Sequence, residues 1–353
     1  MKELIVENKR IGENNTIFIV AEMSSNHLGN FDRAVKIIQA AAFAGADAIK
    51  LQTYTPDTIT INSDKKYFQI NCGSIWDGRT LYDLYKEAYT PWEWQPKLKK
   101  IAEEEGLICF STPFDKGAVD FLERELNPPL YKIASYEITD IPLIEYIAEK
   151  RKPVILSSGI AKLSDLELAL DTIKYMGNKK IGILKCVSSY PSDIEEYNLE
   201  TISNLAETFD VIAGLSDHTI GTTVPVLAVA YGAKIIEKHF TLDRASGGPD
   251  ALFSLEPTEF AHMVKAIREA EKAVGKITYE LTEKQKKGRE LGRSLFAVVD
   301  IKAGNKFTEE NIKSVRPAYG LHPKYYKHIL GKKAKRDIEK GEPLGWELVN
   351  NDE

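Results

Sequence analysis

The sequence predicts an α/β chain, a (β/α)8 TIM barrel followed by a small C-terminal β-rich domain. Short β-branched, almost uniformly apolar runs recur eight times, and stretches with helical spacing separate them without exception. Strands apolar on both faces and joined by crossovers of this length form a parallel sheet covered on both sides, and eight such units close a barrel of roughly 250 residues. The competing arrangement is an open doubly wound sheet. Against it, no G-x-G-x-x-G follows the first strand and no G-x-x-x-x-G-K-[ST] occurs anywhere.

In chain order the expected strands are 17–25 (IFIVAEMSS), 48–54 (AIKLQTY), 107–114 (LICFSTPF), 131–137 (YKIASYE), 153–160 (PVILSSGI), 181–191 (IGILKCVSSYP), 211–219 (VIAGLSDHT) and 234–243 (KIIEKHFTLD). The intervening helices are expected at 31–45 behind an Asn30 cap, 80–105, 116–126, 141–150, 163–176, 199–208 and 222–231, with 258–274 after the eighth strand. Residues 2–11 read as a short hairpin plugging the bottom of the barrel. The charged stretch 282–290 (TEKQKKGRE) nearly lacks apolar side chains and reads as an exposed linker or helix. Beyond it, 294–300, a turn at 302–305, 307–312 and 335–343 suggest a compact β-rich module at the lower margin of independent stability. The expected division is a barrel over 1–281, a linker over 282–292 and the small domain over 293–353.

With 353 residues, 43% hydrophobic and 28% charged, the chain has the composition of a globular enzyme and not of a disordered, collagen-like or coiled-coil chain. Its 47 basic and 52 acidic residues leave a net charge of −5, so no basic field holds nucleic acid and any anion must be bound locally. Cys72, Cys109 and Cys186 are too few and too scattered for a disulfide framework or a cysteine-rich zinc site. The start of the chain has no apolar signal core, and no run approaches the ~18 apolar residues of a membrane span. A cytoplasmic protein with neither membrane nor nucleic-acid partners is the expectation.

Each predicted strand begins apolar and ends in groups able to bind or react, and in a barrel those ends share the rim where active sites form. They include Glu22 and Asn26, Lys50 and Gln52, Ser111 and Thr112, Lys132, Ser135 and Glu137, Ser157 and Ser158, Lys185, Ser188 and Tyr190, Ser216 to His218, and Glu237 and His239. His218 and His239 end adjacent strands, which lets two imidazoles approach one ion. Each alone could instead satisfy a local hydrogen bond, but together, beside Glu22 and Glu237, they favour a divalent metal with oxygen ligands filling the rest, Mn²⁺ or Mg²⁺ before structural zinc. Lys50, Lys132 and Lys185 interrupt apolar strands, where an unpaired ammonium is costly. They could grip a phosphate and a carboxylate with help from hydroxyls, form a Schiff base, or be neutralised internally, as Lys132 by Glu137.

Gly214 to His218 begins like a nucleophile elbow but lacks the closing glycine, which argues against serine-hydrolase chemistry. Phe31, Trp92 and Trp94 read as helix-face packing. The loop Gly247-Gly248-Pro249-Asp250 is either a lid carrying a carboxylate over the rim or a plain turn.

The ordered segments AEMSSNH, DAIKLQTY, FSTPF, YKIASYEITD, ILSSGI, GLSDHT, IEKHFTLD and GPDALFSL resemble the sialic acid synthase family, and KSVRPAYG with DIEKGEPL is similar to its antifreeze-like SAF domain. Within that family, residues 74–95 (SIWDGRTLYDLYKEAYTPWEWQ) resemble most the branch that makes pseudaminic acid, ahead of the N-acetylneuraminate and legionaminate branches. The resemblance covers nearly the whole chain. It implies condensation of phosphoenolpyruvate (PEP) with an open-chain amino-sugar aldehyde, here 2,4-diacetamido-2,4,6-trideoxy-L-altrose, to a nine-carbon 2-keto acid with C–O cleavage and release of phosphate.

Carried over by motif, Lys50, Thr112, Lys132, Ser135, Ser157, Ser188 and Ser216 would hold PEP, and Gln52, Glu137, Tyr190 and Asp250 would face the sugar. His218 and His239 would bind a divalent metal, Mn²⁺ first and Mg²⁺ or Co²⁺ as alternatives. Glu22 would lie near the reacting centre, Glu237 in or near the metal's water shell, and Glu22 or Glu137 would move the protons. Arg316 would reach the sugar's N-acetyl group in the partner subunit of a domain-swapped homodimer. Ser188 departs from the Asn that several members carry at the end of strand six, keeping a hydrogen-bonding group with shorter reach. A pyruvate-dependent aldolase and a non-catalytic carbohydrate-binding protein are the competing functions.

Overall fold

The computed structural model describes residues 3–350. Eight parallel strands close into a barrel: β3 (Phe18–Glu22), β4 (Ala48–Thr53), β5 (Ile108–Pro113), β6 (Tyr131–Ile133), β7 (Val154–Ser157), β8 (Ile181–Cys186), β9 (Ile212–Asp217) and β10 (Ile235–His239). β10 closes the ring on β3, with Phe18 opposite Ile235 and Glu22 opposite His239. Gly214 is required here, because a Cβ on it would stand 2.4 Å from the Ile235 carbonyl oxygen.

The strands stop earlier than the apolar runs, so the polar ends lie on or just beyond the rim. One expected helix is two: 80–105 divides into Leu81–Ala88 and Gln95–Glu104, separated by a 3₁₀ turn at Trp92–Trp94. Pro91 explains the break, since it carries no N–H to donate and turns its predecessor away from helical geometry. Asn30 caps the first helix by accepting the Arg33 N–H at 2.9 Å.

Strand parity places the site. Successive side chains alternate between the lumen and the helical layer. At the N-terminal end the lumen residues Phe18, Ala48, Ile108, Ile155, Ile212 and Ile235 form one buried cluster with Leu4, Val6 and Ile11. Those last three belong to a hairpin of β1 (Glu3–Val6) and β2 (Lys9–Gly12), which closes this mouth with aliphatic side chains. Two or four residues further along each strand the same parity delivers Glu22, Lys50, Gln52, Thr112, Lys132, Ser157, Cys186, Ser216, Glu237 and His239 to the opposite end. The other parity, with Ile49, Ile133, Leu156, Ile183 and Leu215, packs against the helices.

Among the described residues, those from Lys276 onward form a second compact unit. It pairs β11 (Ser294–Ala297) antiparallel with β12 (Ile312–Val315) around a core that includes Leu295, Ile301, Phe307, Ile312, Ile329 and Leu344. Its first helix, Glu283–Arg289, buries no residue and begins at a Thr282–Gln285 capping box. No helix among the described residues is long and apolar enough to cross a membrane. Their three cysteines are unpaired.

Replacing Ile11 by Ala should cost about 2–4 kcal/mol of stability in denaturant titration, because the hairpin belongs to the lumen core. A loss near zero would place the hairpin outside the cooperative fold.

Candidate active site

Four buried charges lie at the centre of the rim. The Glu237 carboxylate accepts two hydrogen bonds from Lys132 Nζ, at 2.7 and 2.8 Å, and one from Ser216 Oγ at 2.9 Å. Lys50 Nζ lies 3.4 Å from Glu237 and 2.7 Å from Glu22, and donates weakly to Thr112 Oγ1 at 3.4 Å. Parallel pairing sets this up: Lys50 is level with Glu22 across β3 and β4, and Glu237 is level with Ser216 across β9 and β10.

The same contacts govern ionisation. Burial works to protonate Glu237, but Lys132 and Lys50 outweigh it and hold the carboxyl far below its ordinary value. For Glu22 the balance is reversed: burial, reinforced by the Glu237 charge, lifts it to about 7 against the pull of Lys50. Burial lowers Lys132, opposed by Glu237; on Lys50 the pairs with Glu22 and Glu237 outweigh burial and raise it.

Around this cluster lie hydroxyls with spare capacity. Ser157 Oγ is buried without a hydrogen-bond partner. Ser135 Oγ accepts the Gly159 N–H at 3.1 Å. A Cβ on Gly159 would stand 2.0 Å from Ser188 Oγ and 2.6 Å from Ser135 Oγ, so this glycine keeps open the space on which the two hydroxyls converge.

The rings of His218 and His239 are tilted 60° to each other with centroids 5.2 Å apart, and each meets Phe253 edge-on. His218 Nδ1 lies 2.8 Å from the Val187 carbonyl, which only accepts, so Nδ1 carries a proton and Nε2 is the nitrogen left for an ion; burial lowers this imidazole, but Cys186 and the Val187 carbonyl outweigh it and raise it. His239 Nδ1 is buried and unpartnered, and burial, with the charges of His218 and Lys50, keeps this imidazole neutral. Nitrogens of His218 and His239 could hold a divalent ion, whose binding would displace any proton held on His218. Among the described residues no group of three or more His, Cys, Asp or Glu side chains completes a ligand set. Glu22 and Glu237, expected beside the histidines, are each paired with lysines, so an ion held there would draw its further ligands from substrate or water oxygens.

Of the residues expected to face a sugar, Gln52 and Asp250 are both tied to Ser24, just beyond β3. Gln52 Nε2 donates to Ser24 Oγ at 2.9 Å and to Glu22 Oε1 at 3.3 Å. Asp250 Oδ2 accepts from Ser24 Oγ at 2.5 Å and Ser25 Oγ at 3.0 Å, so the 247–250 loop is tied to the first strand's exit. Tyr190 lies 4.5 Å from the His218 ring. Glu137 is half-buried, one of its carboxylate oxygens has no partner, and burial raises it to about 7. Arg316 is exposed on the C-terminal unit.

Three expectations need correction. Lys132 is neutralised by Glu237 and not by Glu137. Lys185 is level with Leu215, on the parity facing the helices, and its ammonium reaches only the Cys186 carbonyl, at 3.5 Å. Asp217 also faces outward, 2.5 Å from the buried Lys238, and braces β9 against β10. Two lumen neighbours escaped the sequence reading: Cys186, whose Sγ lies 3.8 Å from His218 Nδ1, and Trp76, whose ring lies 5.1 Å from Tyr190. Parity marks Cys186; no local pattern marks Trp76.

A closed barrel whose rim gathers buried ammonium groups, hydroxyls and a pair of imidazoles defines a class, the (β/α)8 enzymes that handle small anionic substrates. Residues 37–279 match the NeuB family and residues 292–350 the SAF domain, and the chain belongs to the NeuB family. It is 50% identical over 338 residues to a pseudaminic acid synthase of Campylobacter jejuni, covering 95% of this chain and 98% of that one. The corresponding Helicobacter pylori protein is 46% identical over 327 residues, 92% and 96% of the two chains. Among solved structures, an N-acetylneuraminic acid synthetase from Leptospira borgpetersenii superposes with a TM-score of 0.73 at 34% identity, over 81% of this chain and 95% of that one.

Because Glu137 is raised in the folded state, its favourable contribution is complete below the unfolded carboxyl value near 4.5 and is lost as pH rises through about 7. Glu137→Gln should therefore gain stability relative to wild type by about 1–3 kcal/mol between pH 5 and pH 8 in chemical denaturation. A difference independent of pH would contradict this.

Proposed function

We propose that this protein is a pseudaminic acid synthase, condensing PEP with 2,4-diacetamido-2,4,6-trideoxy-L-altrose to pseudaminic acid and phosphate. The observation that carries the reading is the pair of buried ammonium groups, Lys50 and Lys132, set among Thr112, Ser157 and Ser216 at the rim of a chain half identical, over nearly its whole length, to a pseudaminic acid synthase.

PEP carries a phosphate and a carboxylate, and two lysines with several hydroxyls match both. Ser135 and Ser188, converging beside Gly159, extend the anion site. Gln52, Glu137, Tyr190 and Asp250 then face the sugar, with Arg316 supplied by the partner in a domain-swapped homodimer. In the reaction, C3 of PEP attacks the aldehyde carbon, forming the C–C bond; water adds at C2, and the C2–O bond breaks to release phosphate and leave the keto group. Enzymes of this family are generally metal-dependent. A divalent ion, Mn²⁺ by preference, would sit on His218 and His239 and act as a Lewis acid toward the aldehyde oxygen. Glu22 and Glu137, both poised near neutrality, can each hold or release a proton at the working pH. Glu22 is bonded to Gln52 and Lys50, so it stands between the two proposed substrate sites and is the better placed to serve both.

The deciding assay supplies Mn²⁺ and PEP with each sugar in turn. The trideoxy sugar should yield phosphate and a nine-carbon keto acid, with the bridging oxygen of PEP recovered in phosphate, whereas N-acetylmannosamine should not turn over. Comparable rates on both would overturn the substrate assignment, and a borohydride-trapped lysine adduct would overturn the synthase reading. His218→Ala and His239→Ala should each lower turnover at least ~100-fold while keeping the melting temperature near wild type.

A further inference from the structure

We propose that Trp76 is a specificity-determining residue of the sugar site, its indole forming an apolar wall that receives the deoxygenated end of the amino sugar. The inference rests on the amino-sugar reading above and deepens it.

Trp76 lies in an excursion between β4 and the helix Leu81–Ala88, and that excursion is a built turn. Its stem is closed by a bridge between Gln69 and Thr80, by the Ile70 N–H on the Arg79 carbonyl and by the Gly78 N–H on the Ile70 carbonyl, both at 2.9 Å. Its tip is gathered by the Asp77 carboxylate, which accepts the N–H groups of Cys72, Gly73 and Ser74 at 3.2, 2.9 and 3.0 Å. The half-buried indole returns to the barrel: its N–H donates to the Pro249 carbonyl at 2.9 Å, and its ring lies 5.1 Å from Tyr190. Tyr190 in turn lies 4.5 Å from His218 and 5.2 Å from Phe253.

The chemistry follows from the donor count. Indole has one polar group, and Pro249 takes it. What remains is a flat apolar face beside Tyr190, at a rim whose other members are hydroxyls, carboxylates and ammonium groups. A sugar methyl or acetamido methyl pressed against this face gives up water at no loss. A hydroxyl there gives up its water partners and finds no replacement, which is how an apolar wall rejects it.

The test uses the full chain with Mn²⁺, PEP, the 2,4-diacetamido-2,4,6-trideoxy sugar and its 6-hydroxy counterpart. Trp76→Ala should raise KM for the deoxy sugar about tenfold or more, leave KM for PEP within about twofold, and narrow the kcat/KM preference for the deoxy sugar. Trp76→Phe, which keeps an apolar ring without the N–H, should retain most of that preference. An unchanged preference in Trp76→Ala overturns the proposal, as does an equal loss in both variants, which would reduce Trp76 to a tie on Pro249. Indole emission gives a reading independent of turnover: the sugar should perturb wild type more than Trp76→Phe, and identical responses overturn the proposal. Failure of wild type to consume either sugar would sink the amino-sugar reading separately, with the emission titration still deciding Trp76.

Discussion

The neutralisation of Glu237 by two lysines is the constraint on which the rest of the site depends. Three charged side chains at the heart of a barrel would be prohibitive singly, and removing one partner of such a buried pair typically costs about 3–5 kcal/mol. Here two ammonium groups and two carboxylates balance, with Glu237 firmly ionised and Glu22 near its midpoint at neutral pH. When Glu22 is protonated the cluster carries one net positive charge, so a small anion is attracted without any exposed basic surface. On the proposed function, this is how a chain of net charge −5 makes a local anion site.

Strand parity converts that local balance into an active site. The lumen is filled at one end by aliphatic side chains under the β1–β2 hairpin, and the next residues of the same parity have nowhere to go but the opposite mouth. Gly214 and Gly159 serve this geometry differently, the first by letting β9 and β10 approach and the second by leaving room for Ser135 and Ser188. The outward pair Asp217 and Lys238 holds the strands that carry His218 and His239, so those imidazoles are fixed from behind the barrel wall.

The barrel was legible in the sequence because buried parallel strands are apolar on both faces, and the change to polar residues at their ends marks the rim. Lys185 shows the limit of that reading: it interrupts an apolar run as Lys50 and Lys132 do, but strand parity sends it to the helical side. The same parity would have marked Cys186 as a lumen residue. Glu237 as the counter-ion of Lys132 is a contact across 105 residues, and no local pattern carries it. Trp76 lies in a periodless polar excursion whose return to the rim depends on Asp77 and on a carbonyl 173 residues away. The broken helix before β5 was different, since Pro91 is a local signal outweighed by the helical spacing on either side.

The central claim is that the cluster of Glu22, Lys50, Lys132 and Glu237 is the anion site and that Glu22 takes up a proton as the anion arrives. Calorimetric titration of PEP into wild type and Glu22→Gln, in buffers of different ionisation enthalpy between pH 6 and pH 8, measures this directly. Wild type should take up a larger fraction of a proton than the variant, with the excess greatest just above pH 7, where Glu22 is mostly ionised before binding. Identical proton uptake in the two proteins across that range would contradict the account.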